Sequence, residues 1–144
     1  MRNLYHIPVD FGSLLRKGRL PSTSLKDSIK EYIYLMLLTQ HGEWRYDPEF
    51  QCILWEKDFE QTDNLNIWLD SVKDDIRHTI VKYETRLRVK MVDIQRDELP
   101  ELSKENKVRR IRNRLTIKVQ GTVIQSDEVF DEEFLMFFGP ITVI

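Results

Sequence analysis

A chain of 144 residues with 41% hydrophobic and 32% charged side chains has the make-up of one globular domain with a core of its own. Its formal net charge of −2 excludes a general attraction to nucleic acid or an anionic membrane, so either would need a local patch. The single cysteine, Cys52, excludes an intrachain disulfide, and no apolar run approaches the ~20 residues that span a bilayer. The N-terminal residues lack the charged start, apolar middle and small-residue cleavage site of a secretory leader, so the expected location is cytoplasmic.

Residues 1–23 read as an arm. Tyr5 and Phe11 are mixed with Pro8, Gly12 and Gly18 in no sustained period, and Leu14 and Leu15 are its candidate anchors. Ser24 and Asp27 form a capping-box-like pair. Leu25, Ile29, Ile33, Met36 and Leu37 then hold one face of a helix from about Leu25 to Thr39, which Gly42 should end. Asp47-Pro48 marks a turn and Gln51 to Trp55 a short extended piece, where Cys52 reads as a buried bystander.

Asp63-Asn64 restarts a helix. Its stripe is Leu65, Trp68, Leu69, Val72, Ile76, Ile80 and Tyr83. The period then shortens to that of a strand, with Leu87, Val89 and Met91 alternating against Arg88, Lys90 and Val92. Gln95 to Lys107 is polar, holds Pro100 and reads as a loop or hairpin-like excursion. In the next strand Ile111, Leu115, Ile117, Val119 and Val123 share one parity. Arg110, Arg112, Arg114, Thr116, Lys118 and Gln120 share the other. Asp127 to Glu133 reads as an acidic turn. Phe134 to Phe138 and Ile141 to Ile144 read as terminal strands broken at Gly139-Pro140. Two principal helices followed by three or four sequential strands predict an α+β domain. Its sheet should be mainly antiparallel, with helices on one face and the other partly open.

The chemistry-bearing residues are sparse. His6, His41 and His78 have no second ligand at metal spacing, and no cofactor is expected. Glu43, Asp47 and Glu49 beside Trp44 and Tyr46 form the one carboxylate cluster that a peptidoglycan-hydrolysing site could use, which requires a set distance across a sugar cleft. No Gly-rich phosphate loop or nucleophile elbow appears. The run Arg109 to Arg114 would put Arg110, Arg112 and Arg114 on one strand face. That face could be solvated, bind protein, or bind nucleic acid, although no aromatics are interleaved for stacking on bases. At the joint between helix and strand stands Lys82-Tyr83-Glu84-Thr85-Arg86-Leu87. A carboxylate and a guanidinium one residue apart can face a partner together. They can equally form a helix-end surface salt bridge worth about 0–1 kcal/mol.

Several blocks in order resemble one family, the small baseplate wedge subunits shared by contractile phage tails and type VI secretion systems. Its secretion member is called TssE, and its phage members were once labelled lysozyme-like. Ser28-Ile29 through Leu37-Leu38-Thr39-Gln40-His41-Gly42-Glu43 is similar to the family's first helix and cap. Asp47-Pro48-Glu49-Phe50 stands where the family has Pro-x-Phe-Gly, with Gln51 in place of the Gly. Tyr83-Glu84-Thr85-Arg86-Leu87 resembles its aromatic-Glu-Pro-Arg signature, with Thr85 in place of the Pro. The Tyr5-His6-Ile7-Pro8 opening and Gly42 to Pro48 look most like the Bacteroidetes-type secretion variant. The resemblance covers residues 24–144, a single wedge-like domain behind the 1–23 arm. It implies a structural subunit without enzymatic turnover, small-molecule substrate or cofactor. Glu84 and Arg86, flanked by Tyr83 and Arg88, would dock on larger wedge subunits. The sheet would template sheath protein, with Arg110, Arg112, Arg114, Ile141 and Val143 as candidate contacts.

Overall fold

The computed structural model describes residues 3–39, 65–102 and 108–142. These contain helices α1 (Phe11–Lys17), α2 (Leu25–Leu38) and α3 (Leu65–Tyr83), then strands β1 (Leu87–Leu102), β2 (Val108–Val123) and β3 (Val129–Thr142). The strands form one antiparallel sheet in the order β1-β2-β3. The architecture is α+β, as the alternation of periods predicts.

Helix α2 starts where its cap requires. Ser24 Oγ accepts from Asp27 N–H at 3.1 Å, and Thr39 ends the helix with its N–H on the Leu35 carbonyl. Its stripe of Ile29, Ile33, Met36 and Leu37 is buried, as are Trp68, Val72, Ile76 and Ile80 of α3. Both stripes meet one face of the sheet in a single core. Leu87, Val92 and Ile94 of β1 join Leu115, Ile117, Val119 and Val123 of β2 and Phe130, Phe134 and Met136 of β3. Each such side chain contributes about 1.5–3 kcal/mol relative to exposure, so this layer dominates the fold's stability. On the opposite face Met91, Leu135 and Phe137 are nearly half exposed.

Four sequence expectations change or narrow. The arm contains a helix, α1, too short to show a period but bounded by Asp10 and Gly18 as caps. Of the loop and the hairpin-like excursion, Gln95 to Leu102 takes the second, as strand whose backbone continues the β1–β2 ladder to the Leu102–Val108 pair. The acidic stretch begins in the turn, but Asp131, Glu132 and Glu133 lie within β3. Gly139-Pro140 does not divide β3. The register shift between Ile111 and Asn113 absorbs the extra residue, and a proline on an edge strand removes no ladder bond on its free side.

Strand β1 also switches parity. Val89 pairs with Gly121, but Met91 pairs with Gln120, so Lys90 is the extra residue of a bulge. Leu87 and Val89 face the core before it, and Val92 and Ile94 after it, which turns Met91 outward instead of inward. Gly121 makes the bulge possible. A Cβ there would stand 2.3 Å from the Arg88 carbonyl oxygen. The β2–β3 turn is closed by Asp127 N–H on the Val123 carbonyl, with Asp127 at φ 54°. Gly42, Asp47-Pro48 and the Gln51–Trp55 piece with Cys52 lie outside the described residues.

Candidate functional site

The joint between α3 and β1 is three residues long, Glu84, Thr85 and Arg86. Ile80 and Leu87 must both face the core, so the chain turns sharply between them and carries Glu84 inward. Glu84 N–H closes the last helical turn on the Ile80 carbonyl at 2.8 Å. The Glu84 side chain is only 2% exposed. A carboxylate so buried costs several kcal/mol unless it is matched in charge and hydrogen bonds.

Arg86 supplies both. Its Nε donates to Glu84 Oε1 at 2.8 Å and its Nη2 to Oε2 at 2.8 Å, a fork-to-fork pair. The Arg86 backbone N–H adds a third bond to Oε1 at 3.1 Å. The remaining arm of the guanidinium, Nη1, donates to Ser28 Oγ at 3.0 Å. Ser28 is a buried residue of α2, so the guanidinium ties α2 to the joint. The Arg86 carbonyl accepts from Ile124 N–H at 2.9 Å, which brings in the end of β2. The hydrogen bond to Glu84 raises the Arg86 pKa further against the opposing effect of burial, so the guanidinium stays charged.

The pair is therefore neither a surface salt bridge nor wholly hidden. One third of the Arg86 side chain remains exposed beside exposed Thr85. Tyr83 is half-buried against the core, and Lys82 Nζ lies 5.1 Å from its ring centroid. Arg88 is exposed at the start of β1, opposite Thr122. The joint thus presents Thr85, the edge of Arg86 and Arg88 on a base that cannot shift without breaking the buried pair. Ser28 carries no signal of its own as a partner of Arg86. A small polar residue inside an apolar helix stripe was the available clue.

Of the arginine row on β2, Arg114 is paired with a neighbouring strand. Arg114 Nη2 meets Asp97 Oδ2 at 2.9 Å, and Lys118 Nζ is 3.9 Å from Asp131. In register, Arg110 stands opposite Glu101 and Thr142, and Arg112 opposite Leu99. Ile141 pairs with Ile111 on β3. Val143, Glu43 and Glu49 lie outside the described residues. At the arm, His6 Nδ1 is 2.7 Å from Glu31 Oε1, and Ile7 N–H donates to Oε2 at 2.8 Å. Burial opposes ionisation of Glu31, but these two hydrogen bonds outweigh it and hold the carboxyl below its usual range. Glu31 is a second contact that the sequence did not announce. No group of metal-ligating side chains occurs among the described residues, and none of their helices is long and apolar enough to cross a membrane.

The family described as baseplate wedge protein gp25 matches residues 23–128. That span takes in α2, α3, the joint, β1 and β2. A crystal structure of a protein from Geobacter sulfurreducens that carries the label tail lysozyme is similar at a TM-score of 0.59 and 20% identity. The match covers 81% of this chain and 94% of that one, and it establishes a shared fold. No curated protein matches the chain.

Proposed function

Because the chain belongs to the family of the baseplate wedge protein gp25, we propose that it is a non-catalytic structural subunit of a contractile injection baseplate of the type VI secretion kind. It acts in the cytoplasm as a single wedge-like domain over residues 24–144 behind an arm over 1–23. It docks on larger wedge subunits through the α3–β1 joint, and its sheet seeds the first ring of sheath protein. The buried Glu84–Arg86 pair carries this reading. A docking loop gains orientation specificity when its backbone is fixed before the partner arrives, because less freedom is then lost on binding.

In this reading Glu84 works through Arg86. The carboxylate is fully engaged inside the chain, so it sets the guanidinium, and the exposed edge of Arg86 meets the partner with Tyr83 and Arg88. The outer edge of β3 with Ile141, the residue Val143 beyond the described part of that strand, and the β2 arginines Arg110, Arg112 and Arg114 supply the sheath-facing part. Strand addition along such an edge draws its affinity from main-chain hydrogen bonds.

The test is co-purification from the native host. Thr85→Trp and Arg88→Glu change exposed groups outside the buried network, so the fold should hold by circular dichroism. Loss of large wedge-like partners from both folded variants supports the joint as the docking site. Full retention by both refutes it. The enzymatic alternative through Glu43 or Glu49 predicts clearing of cell-wall fragments, and the purified protein should give none at any pH. The nucleic-acid alternative predicts binding at low salt that weakens steeply as salt rises.

A further inference from the structure

Helix α1 is fully capped yet buries none of its residues. Asp10 Oδ1 accepts from Ser13 N–H at 3.0 Å at one end. Gly18, at φ 70°, closes the other with its N–H on the Leu14 carbonyl at 2.8 Å. Phe11 is 67% exposed and Leu15 86%, one turn apart on the same face. Arg16 and Lys17 follow in the last turn, with Arg19 just beyond. A helix this short is marginal on its own, and burial of an apolar face is what ordinarily holds one.

The same molecule carries a surface that matches this face. A groove of about 610 Å³ lies between the start of the arm, α2 and β3. Its apolar lining includes Ile7 and Tyr34, both about two-fifths exposed, beside the buried ring of Phe134, with the β3 edge at Leu135 as its rim. Asp27, Glu31 and Glu133 give the lining an acidic character. Lys30 also lines it, but its ammonium sits 3.1 Å from Glu132. No residue of α1 lines the groove of its own chain.

We propose that α1 of one copy docks in this groove of a second copy. Phe11 and Leu15 cover Ile7 and Tyr34, and Arg16 and Lys17 approach the acidic side chains. Helix and groove are different patches of one chain, so the contact is head-to-tail and can repeat from copy to copy. The contact is small and therefore weak and concentration-dependent. Its charged part makes it weaken with added salt. The family match begins at residue 23, after α1, so the proposal stands apart from the wedge reading.

Sedimentation velocity of the full chain over a hundredfold concentration range is the test. Leu15→Glu spoils the helix and Tyr34→Glu spoils the groove, and both alter exposed side chains. Wild type should gain mass with concentration, while each variant alone should stay monomeric. An equimolar mixture of the two variants should form a one-to-one dimer and nothing larger, because it holds one intact helix and one intact groove. A wild type that is monomeric throughout overturns the proposal, whether α1 is then covered by its own chain or by another protein. Association unchanged in either variant, or a mixture that stays monomeric, overturns it as well.

Discussion

Arg86 meets three groups at once: a carboxylate two residues away, the Ile124 N–H at the end of β2 and a serine 58 residues distant. Losing it leaves Glu84 buried and unmatched. Arg86→Ala should therefore destabilise the fold by about 2–4 kcal/mol in urea unfolding, somewhat less than a fully buried pair because the guanidinium is part exposed. Arg86→Lys keeps the charge but loses the fork and should cost about 1–2 kcal/mol. Ser28→Ala should cost about 0.5–1.5 kcal/mol. If the three midpoints coincide with wild type, the pair is not structural. The pairing of Glu84 with Arg86 was legible, since both stand at a change of period. Ser28 was not, because nothing in a linear sequence brings residue 28 beside residue 86. Glu31 gives a pH effect with a definite sign. Its folded pKa lies below the usual 4.5, so its stabilisation of the arm is complete above that value and lost as pH falls through the folded pKa. The protection of the Ile7 amide, its exchange relative to the intrinsic rate at each pH, should fall over that acid window in wild type, and this is the acceleration to look for. In Glu31→Gln the acceleration should be absent.

The helices and strands were unequally readable. Helices α2 and α3 hold an apolar stripe over 14 and 19 residues, and their positions follow from it. Helix α1 has seven residues, fewer than a period needs to declare itself, and only its caps mark it. In β1 the parity was misread after Val89 because a bulge inserts one residue without any change in composition. Its signature was on the other strand, as Gly121 opposite Val89. The outer half of β1 was only half legible because charged side chains and Pro100 conceal a strand whose evidence lies in its pairing. Gly121→Ala forces a Cβ into the Arg88 carbonyl, and backbone cannot swing aside as a side chain does. It should cost about 1–3 kcal/mol in the urea midpoint. A wild-type midpoint would mean that the bulge relaxes freely. At the β2–β3 turn, Asp127→Val places a branched side chain at φ 54° and should cost about 1–2 kcal/mol in the same measurement, where Asn should be tolerated.

Taken as a body, the described residues form a long sheet that the helices grip on its joint side. Strand β1 has 16 residues and spans roughly 50 Å. Among residues whose side chains are described, the buried ones fall at positions 87–94, 115–123 and 130–136, toward the joint. Beyond them the β1–β2 ladder continues, with Arg114 paired across it to Asp97. Amide exchange should therefore be graded, slowest at Ile117 and Val119 and faster toward Asp97 and Phe137. Uniform protection would contradict it. The grip also decides how the sheet bears load. Ladder bonds lie across the strands, so tension between the joint and the far end of β3 pulls along them and is shared by many bonds at once. Tension that lifts β3 sideways meets the same bonds one at a time. In a machine that contracts, this subunit would resist an axial tug and yield to peeling.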